Sequence, residues 1–132
     1  MIFYVYTDGA SRGNPGHAGS AYIIYNEGKE IIDKFSKYIG KATNNEAEYI
    51  ALLMAVEKVV QYIPRKVYFY LDSELVVKQL NGEYKVRNKN LMKIYEKIKG
   101  YIKSFDYKFE YIPRELNKVA DKLAKEASYN IM

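Results

Sequence analysis

Two runs of this chain end in the same way. IFYVYTDG (residues 2–9) and KVYFYLDS (66–73) are both rich in β-branched and aromatic residues, and each closes on an aspartate followed by a small residue. Such runs read as strands. Open α/β sheets bind ligands at the carboxyl ends of their strands, so Asp8 and Asp72 are placed to share a site at that edge. Aspartate is also a common turn former, which is the plainer explanation of either residue taken alone. Two strands finishing alike favour the site.

The remaining patterns supply a framework around those strands. Residues 19–39 read as a hairpin that turns at NEGK (26–29). TNNEAEYIALLMAVEKVVQYI (43–63) reads as a long helix, with Thr43 and Glu46 spaced for a capping box and Pro64 just beyond its end. A short helix over 73–82 closes on Gly82, and an amphipathic helix follows over 88–103. A strand over 105–112 and a helix over 114–130 complete the chain. The order β-β-β-α-β-α-α-β-α predicts an α/β fold, a mixed sheet with helices packed on it, in one domain over 1–132.

The chain has no cysteine and one histidine, His17, which reads as a loop residue. Any metal would therefore sit on oxygen ligands, which suits Mg²⁺, Mn²⁺ or Ca²⁺. No apolar run approaches the about 18 residues of a membrane span. The opening MIFYVYTDG has neither a basic leader nor a cleavage site, so a cytoplasmic protein without a signal peptide is expected.

The Gly-rich stretch GASRGNPGHAG (9–19) after Asp8 fits neither G-x-x-x-x-G-K-[ST] nor G-x-G-x-x-G. No helical pattern follows it, so no helix N-terminus is offered to a phosphate. It reads as a hairpin connection that leaves Asp8 accessible, with glycines that admit a ligand backbone and Asn14 as a donor. In the 43–63 helix, Leu52, Ala55, Val56 and Val59 form the apolar stripe, and Glu48 falls in its middle. A carboxylate there is costly unless paired or bound to a metal. In the last helix, Leu116, Val119, Ala120, Leu123 and Ala127 read as the core stripe. Asp121 falls off that stripe, toward Lys118 and Lys125, and periodicity alone makes it a solvated residue with an i,i+4 partner.

The net charge of +5 is unevenly spread: residues 84–103 hold seven bases against one acid, Glu96. Lys89, Lys93 and Lys97 recur at i,i+4 within that stretch. A local basic stretch on a near-neutral body is the footprint of a polyanion partner, although a lysine-rich solvated face looks the same.

Taken together, YTDGASRGNPG, TNNEAE, LDSELV and NKVADKLA resemble the motifs of type 1 ribonucleases H, along nearly the whole chain. The resemblance implies the ribonuclease H-like fold, a five-stranded mixed sheet flanked by helices. It implies Asp8, Glu48, Asp72 and Asp121 as catalytic, metal-holding carboxylates. Two Mg²⁺ ions, or Mn²⁺ in their place, would serve hydrolysis of the RNA strand of an RNA–DNA hybrid to 5′-phosphate and 3′-hydroxyl ends. By the same resemblance Gly9, Asn14, Asn45 and Glu48 would meet the minor groove, where 2′-hydroxyls mark RNA. Ser73 and Glu74 lie in a matching place beside Asp72, Glu74 standing where an uncharged residue is more usual. Thr43 and Asn88 match a pocket for a DNA phosphate, and Asn44 reads as structural. From the basic stretch, Lys89 and Lys93 are candidate substrate contacts. No membrane and no obligate protein partner is implied.

The chain departs from the family pattern in two places. YIPRELNKVAD has no histidine before the last helix, and Arg114 is the nearest substitute, for phosphate contact or product release. A guanidinium stays protonated at any working pH, so it cannot serve as a base. NGEYKVRNKN is short and lacks tryptophan where a long basic protrusion is common, leaving the lysine-rich helix to compensate and Tyr84 as a sugar-stacking candidate. The competing readings are a non-catalytic hybrid-binding module, which predicts a missing carboxylate, and another nuclease of the same fold acting on a different nucleic acid.

Overall fold

The computed structural model describes residues 1–131. Five strands form one sheet in the order β3-β2-β1-β4-β5. They are β1 Ile2–Ser11, β2 Gly16–Tyr25, β3 Ile31–Ala42, β4 Lys66–Leu71 and β5 Asp106–Tyr111. The helices are α1 Asn44–Val59, α2 Glu74–Leu80, α3 Lys89–Ile102 and α4 Lys118–Ala127, with 3₁₀ turns at Val60–Tyr62 and Arg114–Leu116. The β1–β2 and β2–β3 pairs are antiparallel, whereas β1–β4 and β4–β5 are parallel. The mixed sheet and the element order match the expectation from sequence.

Period-2 alternation divides the two faces. Phe3 and Val5 of β1, Tyr22 and Ile24 of β2, and Val67, Phe69 and Leu71 of β4 are buried in one core with Leu52, Val56 and Val59 of α1. That core includes Ile98 and Ile102 of α3 and Val76 and Leu80 of α2. The alternate residues Tyr4, Tyr6, Tyr68 and Tyr70 line the other face as stacked pairs, Tyr4 with Tyr68 and Tyr6 with Tyr70. α4 crosses that second face over β1 and β2.

Two expectations are corrected here. Asp8 does not end its strand: β1 continues to Ser11, paired with β2 through Asp8↔Ala21 and Ser11↔Ala18. The Gly-rich segment looked like a loop because its residues favour turns, but hydrogen bonding to β2 overrides that preference. His17 accordingly lies in β2, its Nδ1 2.8 Å from the Tyr38 hydroxyl oxygen. The second correction concerns α4. Its buried residues are Ala120, Ala124 and Ala127, while Leu116 and Val119 are 66% and 52% exposed. A Cβ on Gly19 of β2 would sit 2.3 Å from the Ala124 carbonyl oxygen. The helix lies so close to the strand that only small residues fit between them, and the larger apolar ones are turned outward. Arg12 fastens the far end: its Nη2 donates to the Ser128 carbonyl at 3.1 Å and its guanidinium lies 4.0 Å over the Tyr129 ring.

Candidate active site

The β1–β4 ladder has its last pair at Tyr6↔Tyr70. Two residues further along each strand come Asp8 and Asp72, so the shared register brings the acids level where the strands part company. By alternation both belong to the face that α4 crosses, and Gly9 belongs to the face under α1. A Cβ on Gly9 would lie 2.2 Å from the Ala47 carbonyl carbon and 2.4 Å from the Glu48 nitrogen. The lack of a side chain at Gly9 therefore lets the first turn of α1 press against β1 and brings Glu48 beside Asp8. The sequence reading gave that glycine's space to a ligand; the backbone of α1 takes it.

α1 starts as expected. The Thr43 hydroxyl accepts from the Glu46 amide at 3.1 Å, and the Glu46 carboxylate accepts from the Thr43 amide at 2.9 Å. Asn14 and Asn44 latch it to the β1–β2 connection through two side-chain oxygens. Asn14 Oδ1 accepts from the Asn44 amide at 3.1 Å, and Asn44 Oδ1 accepts from the Ser11 amide at 3.0 Å. Asn44 thus makes a structural contact and also lines the cleft, and the side-chain carbonyl of Asn14 is committed to α1.

Carboxylate oxygens of Asp8, Glu48 and Asp72 lie within 4.8 Å of one another. Asp8 and Glu48 are buried, and Glu48 Oε2 has no hydrogen-bond partner. Burial, then the neighbouring Glu48 and Asp72, push the Asp8 carboxyl well above the usual carboxylate range. Burial and Asp72 raise Glu48 as well, opposed by contacts with Asp8, the Gly9 amide and Arg114. Buried like charges this close need protons or a cation to neutralise them. The donor set is all carboxylate oxygen and one oxygen is orphaned, so the residues present fit a hard divalent cation.

Asp121 comes to the same cleft from α4, where its carboxylate pairs with Lys125 Nζ at 3.1 Å and helps to raise Asp8. The i,i+4 partner was legible in the sequence, but the inward orientation was not. The cleft is about 400 Å³ in volume and is lined also by Gly9, Asn45, Ser73 and Arg114. A larger groove of about 700 Å³ runs beside Tyr4, Tyr6, Tyr25, Leu116 and Val119. It offers mainly rings and aliphatic groups, so the donor set and not the volume marks the candidate site.

The other expected contacts lie outside this cleft. Thr43 and Asn88 are the N-caps of α1 and α3, and Asn88 Oδ1 accepts from the Asn90 and Leu91 amides. Among the described residues no hydrogen bond joins Thr43 to Asn88. Ser73 is the exception: it lines the cleft and also caps α2, while exposed Glu74 pairs with Lys78 at 3.9 Å. Lys89, Lys93 and Lys97 are all exposed on α3. Lys99 is not part of that surface: it turns inward to donate to the Leu80 carbonyl at 2.9 Å, at the C-terminus of α2. Asn117 was missed altogether. It is buried, and its side-chain amide donates to the Thr7 carbonyl and to Asp72. The available signal was its place four residues before Asp121, on the same helix face.

Residues 6–127 match the sequence pattern of the family described as Reverse transcriptase-like. Ribonuclease HI of Halobacterium salinarum is 36% identical over 125 residues, covering 94% of this chain and 63% of that protein. Its crystal structure superposes with a TM-score of 0.91 at 35% identity, over 96% of this chain and 97% of the other. This chain belongs to the type 1 ribonuclease H family. The bifunctional protein Rv2228c of Mycobacterium tuberculosis is 34% identical over 129 residues, which are 96% of this chain and 35% of that protein. The chain thus spans about a third of one of these ribonuclease H relatives and under two thirds of the other. A structure described as LC11-RNase H1 in complex with RNA/DNA hybrid has a TM-score of 0.90 and 39% identity, over 95% of both chains. Among the described residues, no helix is long and apolar enough to cross a membrane.

Proposed function

We propose that this chain is a metal-dependent endonuclease that hydrolyses the RNA strand of RNA–DNA hybrids, leaving 5′-phosphate and 3′-hydroxyl ends. The observation that carries the reading is the convergence of Asp8, Glu48, Asp72 and Asp121 on one cleft in a ribonuclease H family member, with two of the acids buried. The hybrid bound by the LC11 enzyme supports the substrate class. In this reading the four acids are catalytic and would hold two Mg²⁺ ions, for which Mn²⁺ can substitute. When bound, the ions supply an activated water and neutralise charge at the scissile phosphate. The span 1–132 acts as one unit, with a cytoplasmic location.

The chain's own residues do the rest. Gly9 keeps Glu48 against Asp8, and the Asn14–Asn44 latch fixes the first turn of α1 beside the cleft. Asn45 and Ser73 on the cleft, with Asn14 and Glu74, meet the minor groove and its 2′-hydroxyls. Thr43 and Asn88, each at a helix N-terminus, receive a DNA phosphate. Lys89, Lys93 and Lys97 contact further phosphates.

The decisive experiment incubates the protein with end-labelled hybrid, duplex RNA and duplex DNA, in Mg²⁺, Mn²⁺ or chelator. Cleavage of the hybrid RNA strand alone, lost with chelator, is expected. Binding without cleavage, or preference for another duplex, would overturn the reading.

Two further outcomes follow from surface residues. Changing Lys89, Lys93 and Lys97 together to Gln should flatten the salt dependence of hybrid binding, by up to ~0.9 in log–log slope per lost contact on a B-like duplex. An unchanged slope would leave the lysines as a solvated face. Arg114 lines the cleft and bears electrostatically on Glu48. Arg114→Ala should slow steady-state turnover on the order of tenfold, about 1.4 kcal/mol, without a new ionisation in the pH–rate profile. A new ionisation there would contradict its role as a fixed charge.

A further inference from the structure

We propose that Asn117 is the positioning residue that orients the Asp72 carboxylate for cation binding; this rests on the reading of Asp72 as a metal ligand. The side chain occupies the N-cap position of α4, where an Asn oxygen ordinarily accepts from the first-turn amides. Thr43, Ser73 and Asn88 each cap their helix in that way. Asn117 does not: no side-chain cap bond forms, and its Oδ1 is buried without a partner. Its Nδ2 instead donates to the Thr7 carbonyl at 2.9 Å and to Asp72 Oδ2 at 3.0 Å.

Those two bonds use both hydrogens of the amide. One holds β1 just before Asp8, past the last rung of the β1–β4 ladder. The other fixes one oxygen of Asp72, whose carboxylate belongs to the cluster with Asp8 and Glu48. The main-chain carbonyl of Asn117 also accepts from the Asp121 amide at 3.0 Å. One residue, 1% exposed, therefore ties together the segments that carry three of the four acids. A forgone cap and an orphaned oxygen are unfavourable for stability alone. They are accounted for if the amide serves the site, because a ligating carboxylate held by a neighbouring hydrogen bond presents its free oxygen in a set direction.

The test is calorimetric titration of the metal-free protein with Mn²⁺, for the parent, Asn117→Ala, Asn117→Ser and Asp72→Asn. Asn117→Ser retains a good capping side chain but is too short to reach both acceptors. Both Asn117 variants should bind Mn²⁺ about 10- to 100-fold more weakly. Hybrid KM at saturating Mn²⁺ should stay within about threefold of the parent, and metal-free melting curves must show both variants folded at the titration temperature, because a variant that folds only on binding metal would give the same split. If Asn117→Ser binds Mn²⁺ like the parent, the hydrogen bond to Asp72 orients no ligand and the inference fails. If Asp72→Asn binds like the parent, it is the carboxylate site itself that fails. The unmutated protein offers a check independent of folding: the Asn117 side-chain amide resonance should move during Mg²⁺ titration, and a stationary resonance overturns the inference.

Discussion

Glu48→Gln should abolish hybrid cleavage and yet leave the metal-free protein at least as stable as the parent. Glu48 is 6% exposed, one of its oxygens has no hydrogen bond, and burial with Asp72 nearby raises its carboxyl above the ordinary value. A carboxyl raised on folding favours the folded state at low pH, where it is protonated in both states. That contribution is lost as pH climbs from the unfolded value of about 4.3 through the folded one. Metal-free parent protein should therefore lose thermal stability as pH rises above about 4.3, and Glu48→Gln should lose less. Each ~1 kcal/mol of relief corresponds to about 2–8 °C in Tm for domains in this size range. Divalent cation should restore the parent at neutral pH and do less for the variant. Glu46→Gln is the control. It stands about 160° around the helix from Glu48, and Gln can still accept from the Thr43 amide, so stability should fall by less than about 1 kcal/mol with nearly normal catalysis. Melting curves against pH, paired with hybrid cleavage, check both; an inactive Glu46→Gln beside an active Glu48→Gln would reverse the assignment.

Gly9→Ala should damage both stability and rate, far more than one methyl group usually does. The new Cβ would fall 2.2–2.5 Å from backbone atoms of Ala47 and Glu48, none of which can swing aside as a side-chain tip does. α1 must move away from β1, at an overpacking cost of about 1–3 kcal/mol. The same movement carries Glu48 from Asp8, and a displacement of about 1 Å at such a site can cost on the order of 100-fold in rate. Gly100 of α3 is the contrast, with nothing within 4 Å of its Cβ position. Gly100→Ala should raise stability by about 0.5–1 kcal/mol and leave cleavage unchanged. Equal behaviour of the two alanine variants in denaturant titration would remove the close approach of α1 as the reason for Gly9.

Most of the framework was legible in the residues. The strand runs that carry Asp8 and lead into Asp72, the Thr43–Glu46 box and the phase of α1 were read from period and capping chemistry. These are local quantities, set by strand pleat and helix pitch whatever the rest of the chain does. Glu48 stood out because a carboxylate on an apolar stripe is anomalous within its own helix. The extent of β1 and β2 was not legible, because Gly9, Gly13, Gly16 and Gly19 favour turns until cross-strand pairing holds them extended.

α4 shows where local reasoning ends. Its inner face was read as Leu116, Val119, Ala120, Leu123 and Ala127; Ala120 and Ala127 are inside, with Ala124 and Asn117, whereas Leu116 and Val119 are exposed. The phase of a helix on a sheet is decided by how near the two backbones come, and at Gly19 they come too near for a leucine. That closeness turns Asp121 toward the cleft and Asn117 toward Thr7 and Asp72. By itself the sequence determined the order of the elements, the Thr43–Glu46 cap of α1 and the candidacy of Asp8, Glu48 and Asp72, because each depends on neighbours a few residues away. The outward turn of Leu116 and Val119, and with it the inward orientation of Asp121 and Asn117, was decided only by tertiary packing, because it depends on the space left by a glycine about a hundred residues earlier in the chain.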